Sequence, residues 1–123
     1  MFPLTGRRAA IAWLVATLVV SFAFMFLGIR PRIPRALRQF SDVVLHGGAY
    51  LMLAVLAART ARSWGWRAPL AFGLGYAALH GGGLEILQYF NPPRMAEWKD
   101  WLADCVGAGF GVLALAWWDG WTT

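Results

Sequence analysis

The chain has 123 residues, of which 59% are hydrophobic and only 14% charged. A soluble domain carries about 25% charged and about 45–50% apolar residues, so this composition excludes an ordinary water-soluble globule and points to a single compact membrane domain. Net charge is +5, and all but one of the eleven cations are Arg, set mostly between apolar runs. That pattern suits anionic lipid head groups and not nucleic acid, because no basic groove-reading helix is present.

Arg7 and Arg8 precede an uncharged run from Ala9 to Ile29. The run exceeds the roughly 20 residues that cross a bilayer. It is too long for a signal-peptide core and is followed by no small-x-small cleavage pattern, so it reads as a retained first span. The basic stretch Arg30-Pro31-Arg32-Ile33-Pro34-Arg35 through Arg38 stops that helix with its prolines. Ser41 or Asp42 then caps a second span from about Asp42 to Ala58, ended by Arg59 and Arg62. The linker Ser63-Trp64-Gly65-Trp66-Arg67 places two indoles where amphipathic rings settle, at the head-group layer. A third span runs from Pro69 to about Phe90 and is closed by Asn91-Pro92-Pro93; a fourth runs from about Asp100 to Trp118. Its Gly107-x-x-x-Gly111 spacing offers a small-residue face for close helix approach. Spans at about 9–29, 42–58, 69–90 and 100–118, with short connections, predict an all-α, four-transmembrane-helix bundle of up-down-up-down order, a single domain over residues 1–123. Orientation is not readable: Arg7, Arg8, Arg59, Arg62 and Arg67 on one side nearly balance the cations of the other.

The same topology gathers distant polar residues. Asp42 and His46 open the second span, Glu85 and Gln88 close the third, and Asp100 and Asp104 open the fourth, so all fall at one membrane face beside Arg94. Within a helix the spacing aligns them: Asp42, His46 and Tyr50 lie four apart, as do Asp100 and Asp104, and Glu85 and Gln88 are three apart. Ionisable residues at membrane depth are costly and face protein or water, which makes this convergence a candidate site.

An Asp-x-x-x-His-x-x-x-Tyr stripe, a Glu-x-x-Gln pair, Pro93-Arg94, and an aspartate six residues after the arginine leading into a Gly-rich helix together resemble the VanZ-like family of small bacterial membrane proteins. The likeness covers about Asp42 to Gly111. Val43 stands where a Lys commonly follows the Asp, and Asp104 where an Asn is usual, so this site is more acidic than the family pattern. The resemblance implies a multi-pass protein of the bacterial inner membrane, linked to glycopeptide (teicoplanin-type) resistance and the cell envelope. It implies no settled chemical activity.

On the residues alone, Arg94 is placed to hold an anionic group such as a lipid phosphate, since its planar fork donates two bonds. His46 with Glu85 or Asp104 would orient that group, or act as acid and base. Opposed to this is a purely structural ion-pair network of Glu85, Arg94 and Asp104 fixing helix register. The partners expected are membrane lipids; a different class of reading is an accessory subunit packing against a larger respiratory or photosynthetic complex. His46 and His80, both followed by glycines, are candidate ligands for haem or chlorophyll, but two lone histidines make no motif and no cofactor is expected. No metal spacing, nucleophile elbow or phosphate loop occurs, and His80-Gly81-Gly82-Gly83 reads as packing glycines and not as an oxyanion hole. Cys105, the lone cysteine, reads as a small buried residue.

Overall fold

The computed structural model describes residues 6–29, 42–90 and 98–120. They form four helices and, among the described residues, no strand: α1 (Gly6–Ile29), α2 (Asp42–Ser63), α3 (Pro69–Tyr89) and α4 (Trp98–Asp119). Each is 21 to 24 residues long and therefore extends about 32–36 Å at 1.5 Å per residue, enough to cross a hydrocarbon layer of about 30 Å. All four are also apolar enough to do so. Over the described residues the chain is an all-α, multi-pass membrane protein of four helices.

Three boundaries differ from the sequence reading, the first at α1, which begins at Gly6 and takes in Arg7 and Arg8. Helix α2 continues past Ala58 to Ser63, because Arg59 and Arg62 do not stop it. The Arg59 guanidinium instead donates to Asp119 at the end of α4 (Nη2 to Oδ2, 2.8 Å) and lies over the Trp13 ring of α1, 5.3 Å from its centroid. The end comes at Gly65, which has φ 72; its N–H donates to the Arg62 carbonyl and that of Trp66 to the Ala61 carbonyl. That pair of bonds satisfies carbonyls the last turn leaves open and requires a left-handed residue, which glycine adopts without steric cost. Pro69 then opens α3, where its missing N–H is no loss. Helix α4 starts at Trp98, slightly before Asp100.

Helices α1 and α3 run one way, α2 and α4 the other. Helix α2 is central and packs on the other three, most extensively on α4, with which it is parallel. Small residues explain that closeness. A Cβ on Gly107 would run into the Gly47 backbone, and one on Gly111 into the Leu51 carbonyl. In lipid no hydrophobic effect drives helices together, so close van der Waals contact across such faces has to hold them. The remaining core is made of Leu53, Ala54, Ala58, Ala77, Ala108 and Leu115, while Phe22, Phe26, Leu79, Phe110 and Leu113 stay exposed. On a water-soluble monomer that much exposed apolar surface would be a liability; on this bundle it is the lipid-facing side.

Candidate functional site: a buried histidine–carboxylate centre

Near the end of the bundle where α2 and α4 begin, the i, i+4 spacing of Asp100 and Asp104 turns both carboxylates toward α2. His46 stands between them. Its Nδ1 is 2.7 Å from Asp104 Oδ1, and its Nε2 is 3.7 Å from Asp100 Oδ2. One proton must therefore lie between His46 and Asp104 whichever of the two carries it. Asp104 is completely buried, and Gly81 of α3 is what admits it: a Cβ there would strike its carboxylate. The second oxygen of Asp104, Oδ2, has no hydrogen-bond partner among the described residues. Glu85, half-buried on α3, lies within electrostatic reach of both His46 and Tyr50.

Tyr50, one turn deeper on α2 and 2% exposed, does not face this centre's carboxylates through a hydrogen bond. Its hydroxyl is 2.7 Å from His80 Nδ1, and the other ring nitrogen, Nε2, is 2.8 Å from the Ser21 carbonyl of α1. A carbonyl only accepts, so Nε2 carries a hydrogen; in the neutral ring Nδ1 then accepts from Tyr50 O–H. Ser21 Oγ donates to the Thr17 carbonyl at 2.6 Å, which obliges the Tyr76 hydroxyl, 2.7 Å away, to donate to Ser21. Lower still, Thr17 Oγ1 and Thr60 Oγ1 are 2.8 Å apart, and each also reaches the carbonyl four residues back. Two hydrogens serve three contacts there, so one contact is always without its proton.

Of the expected site residues, His46, Asp100 and Asp104 meet directly and Glu85 stands close by. Gln88 is 1% exposed, but its amide fastens α3 to α1 by donating to the Gly28 carbonyl at 2.8 Å. Its Oε1 is buried without a hydrogen-bond partner among the described residues. Tyr50 belongs to the His80 arm. The backbone of Asp42 opens α2, but its side chain lies outside the described residues, as do Pro93 and Arg94 entirely. His80 is the hydrogen-bonded packing residue that buried histidines usually are. The residues missed are Thr17, Ser21, Thr60 and Tyr76. A signal for them existed: Thr17–Ser21 and Tyr76–His80 are i, i+4 polar pairs like those on α2 and α4.

Both ring nitrogens of His80 are hydrogen-bonded inside the bundle, which leaves that ring a poor basis for haem or chlorophyll ligation. Among the described residues no group of three or more His, Cys, Asp or Glu is placed to hold a metal ion. Gly81 and Gly82 serve packing, the first for Asp104 and the second for Trp101, whose indole donates to the Ala78 carbonyl at 2.9 Å; Gly83 has open space beside it. Fold and centre define a class, a multi-pass helical membrane protein with ionisable groups held inside the bundle. Set against known proteins, the chain matches no family model, no curated protein and no solved structure.

Proposed function

We propose that the protein is a VanZ-like protein of the bacterial inner membrane that binds the anionic head group of an envelope lipid at one membrane face. The observation that supports this most is the meeting of His46, Asp100 and Asp104, with Glu85 beside them, at the end of the bundle that residues 91–97 join. In this reading Arg94 takes the phosphate, and the histidine–carboxylate centre accepts hydrogen bonds from the hydroxyls or amine of the same head group. Glycopeptide resistance would then follow from altered handling of such a lipid at the cell envelope.

The test is native mass spectrometry of the gently extracted full chain, wild type against Arg94→Lys. A point charge in place of the two-pronged donor should lower the fraction of protein carrying a phospholipid by roughly tenfold, the cost of one charge-assisted hydrogen bond. An Arg94→Lys protein with undiminished bound lipid overturns the anion-binding role. Recovery as a stoichiometric member of a larger complex without lipid supports an accessory subunit instead.

A further inference from the structure

The polar side chains inside the bundle form a file. It starts at Asp100, two residues into α4, passes His46 and Asp104, and resumes one turn deeper with Tyr50, whose ring stacks on His46 at 6.5 Å and whose hydroxyl reaches His80. His80 sits eleven residues after Pro69 and nine before Tyr89, near the middle of α3. There the file stops, because His80 Nε2–H meets the Ser21 backbone carbonyl, which can accept a hydrogen bond but cannot pass a proton on. The hydroxyls beyond, Ser21 with Tyr76 and Thr17 with Thr60, end on backbone carbonyls in the same way.

We propose that this file is a proton half-channel, open at the face where α4 begins and closed at Ser21, with His46 and His80 as two linked proton-holding sites. The proposal goes beyond head-group binding and does not depend on it. Among the described residues, Asp100 and Asp104 from α4, Glu85 from α3 and Tyr50 from α2 surround His46, and Tyr50, Asp104 and the Ser21 carbonyl surround His80.

Each step breaks one N–H or O–H bond and forms one. A proton from water reaches His46 Nε2 past Asp100, and the Nδ1 proton passes to Asp104 Oδ1 across 2.7 Å. The Asp104 carboxyl turns and gives its proton to a water that contacts Tyr50. That water protonates the Tyr50 oxygen as the original hydroxyl proton moves to His80 Nδ1 across 2.7 Å. The water link draws on two facts: Asp104 Oδ2 is a buried acceptor without a hydrogen-bond partner among the described residues, and it lies against Gly81, the neighbour of His80. Protonated His80 loses no hydrogen bond, since Nδ1–H then donates to Tyr50 and Nε2–H still donates to Ser21. Polar chains of this composition inside membranes are the material of proton relays.

The experiment is solid-state nitrogen NMR of the histidine-labelled full chain in phosphatidylcholine–phosphatidylglycerol bilayers, at about pH 5 and about pH 8, either side of the ordinary imidazole range. At the higher pH His80 should be the Nε2–H tautomer. Its ring hydrogens should exchange with deuterated water, after those of His46. Tyr50→Phe keeps the ring but removes the relay oxygen, and should slow exchange at His80 by roughly 10²-fold, the size of a lost proton-transfer group, with His46 unchanged. The unchanged His46 signal also reports that the variant has folded. Asp104→Asn, which keeps the shape, should slow His80 likewise. Exchange at His80 as fast in both variants as in the wild type, or faster at His80 than at His46, overturns the half-channel.

Discussion

Asp104 shows how a single side chain can be costly and still fix a structure. It is fully buried between α2, α3 and α4, with one oxygen on His46 and the other without a hydrogen-bond partner among the described residues. A buried ion pair adds little over an apolar pair of the same volume, because desolvation offsets attraction, yet breaking it leaves one charge stranded. His46→Leu should therefore lower the unfolding free energy by about 3–5 kcal/mol, with Asp104→Leu similar. The double variant His46→Leu, Asp104→Leu should recover most of that loss, since neither partner remains to be stranded. Reversible unfolding in mixed micelles measures all three. Purely additive losses would mean that the two residues are not coupled, and the 2.7 Å contact would carry no energetic weight. Recovered folding with lost bound lipid or lost histidine proton exchange would separate the centre's function from its structural contribution.

At the scale of helices, the packing of α2 on α4 turns on two glycines facing each other. Gly107→Ala forces a methyl group into the Gly47 backbone, which cannot yield as a side-chain tip could, and should cost about 1–3 kcal/mol. Gly109→Ala, two residues on, meets nothing within 4 Å and should be neutral or stabilising by up to about 1 kcal/mol, since Ala is the better helix former. Equal effects in the same unfolding assay would mean that the α2–α4 contact is looser than described. Much of this scale was legible beforehand. Uninterrupted apolar runs bounded by prolines and arginines gave four helices, and the Gly107-x-x-x-Gly111 pair gave a close-packing face. The polar spacing of α2 and α4 gave His46, Asp100 and Asp104. Other features were not legible for physical reasons. Arg59 looks like a helix stop until Asp119 and Trp13 are seen to take its charge. Thr17, Ser21 and Thr60 can satisfy their hydroxyls on their own helix, so only their neighbours reveal that they also bond across it. Tyr50 shares a stripe with His46, but its hydroxyl extends to α3.

The molecule as a whole has two unlike ends. One carries Trp13, Arg59, Trp64 and Asp119, knitted by an ion pair, a cation–π contact and the bond from Trp64 Nε1 to the Ala10 carbonyl. The other carries Asp100, His46 and Glu85, the mouth of the polar file. Four helices of membrane-crossing length, alternating in direction, place the ends of α1 and α3 and the starts of α2 and α4 at that mouth and the 64–68 turn at the opposite end. The near balance of arginines between the ends does not fix which faces the cytoplasm. Sidedness itself is testable with single cysteines in a Cys105→Ala background, labelled by an impermeant maleimide in sealed vesicles and again after permeabilisation. Cysteines at Gln39 and Ala96 should react from one side and a cysteine at Ser63 from the other. Gln39 and Ser63 reacting from the same side would mean that α2 does not cross, and His46 would then lie outside any bundle interior. The pattern as expected gives an absolute orientation too, because vesicles of known sidedness show which face the mouth opens on; on the proposed inner-membrane location, that is the cytoplasm or the envelope. An envelope-facing mouth would set the histidine–carboxylate centre where envelope lipids are processed. A cytoplasmic mouth would draw its protons from inside the cell and remove the support for direct contact with outer-leaflet lipids.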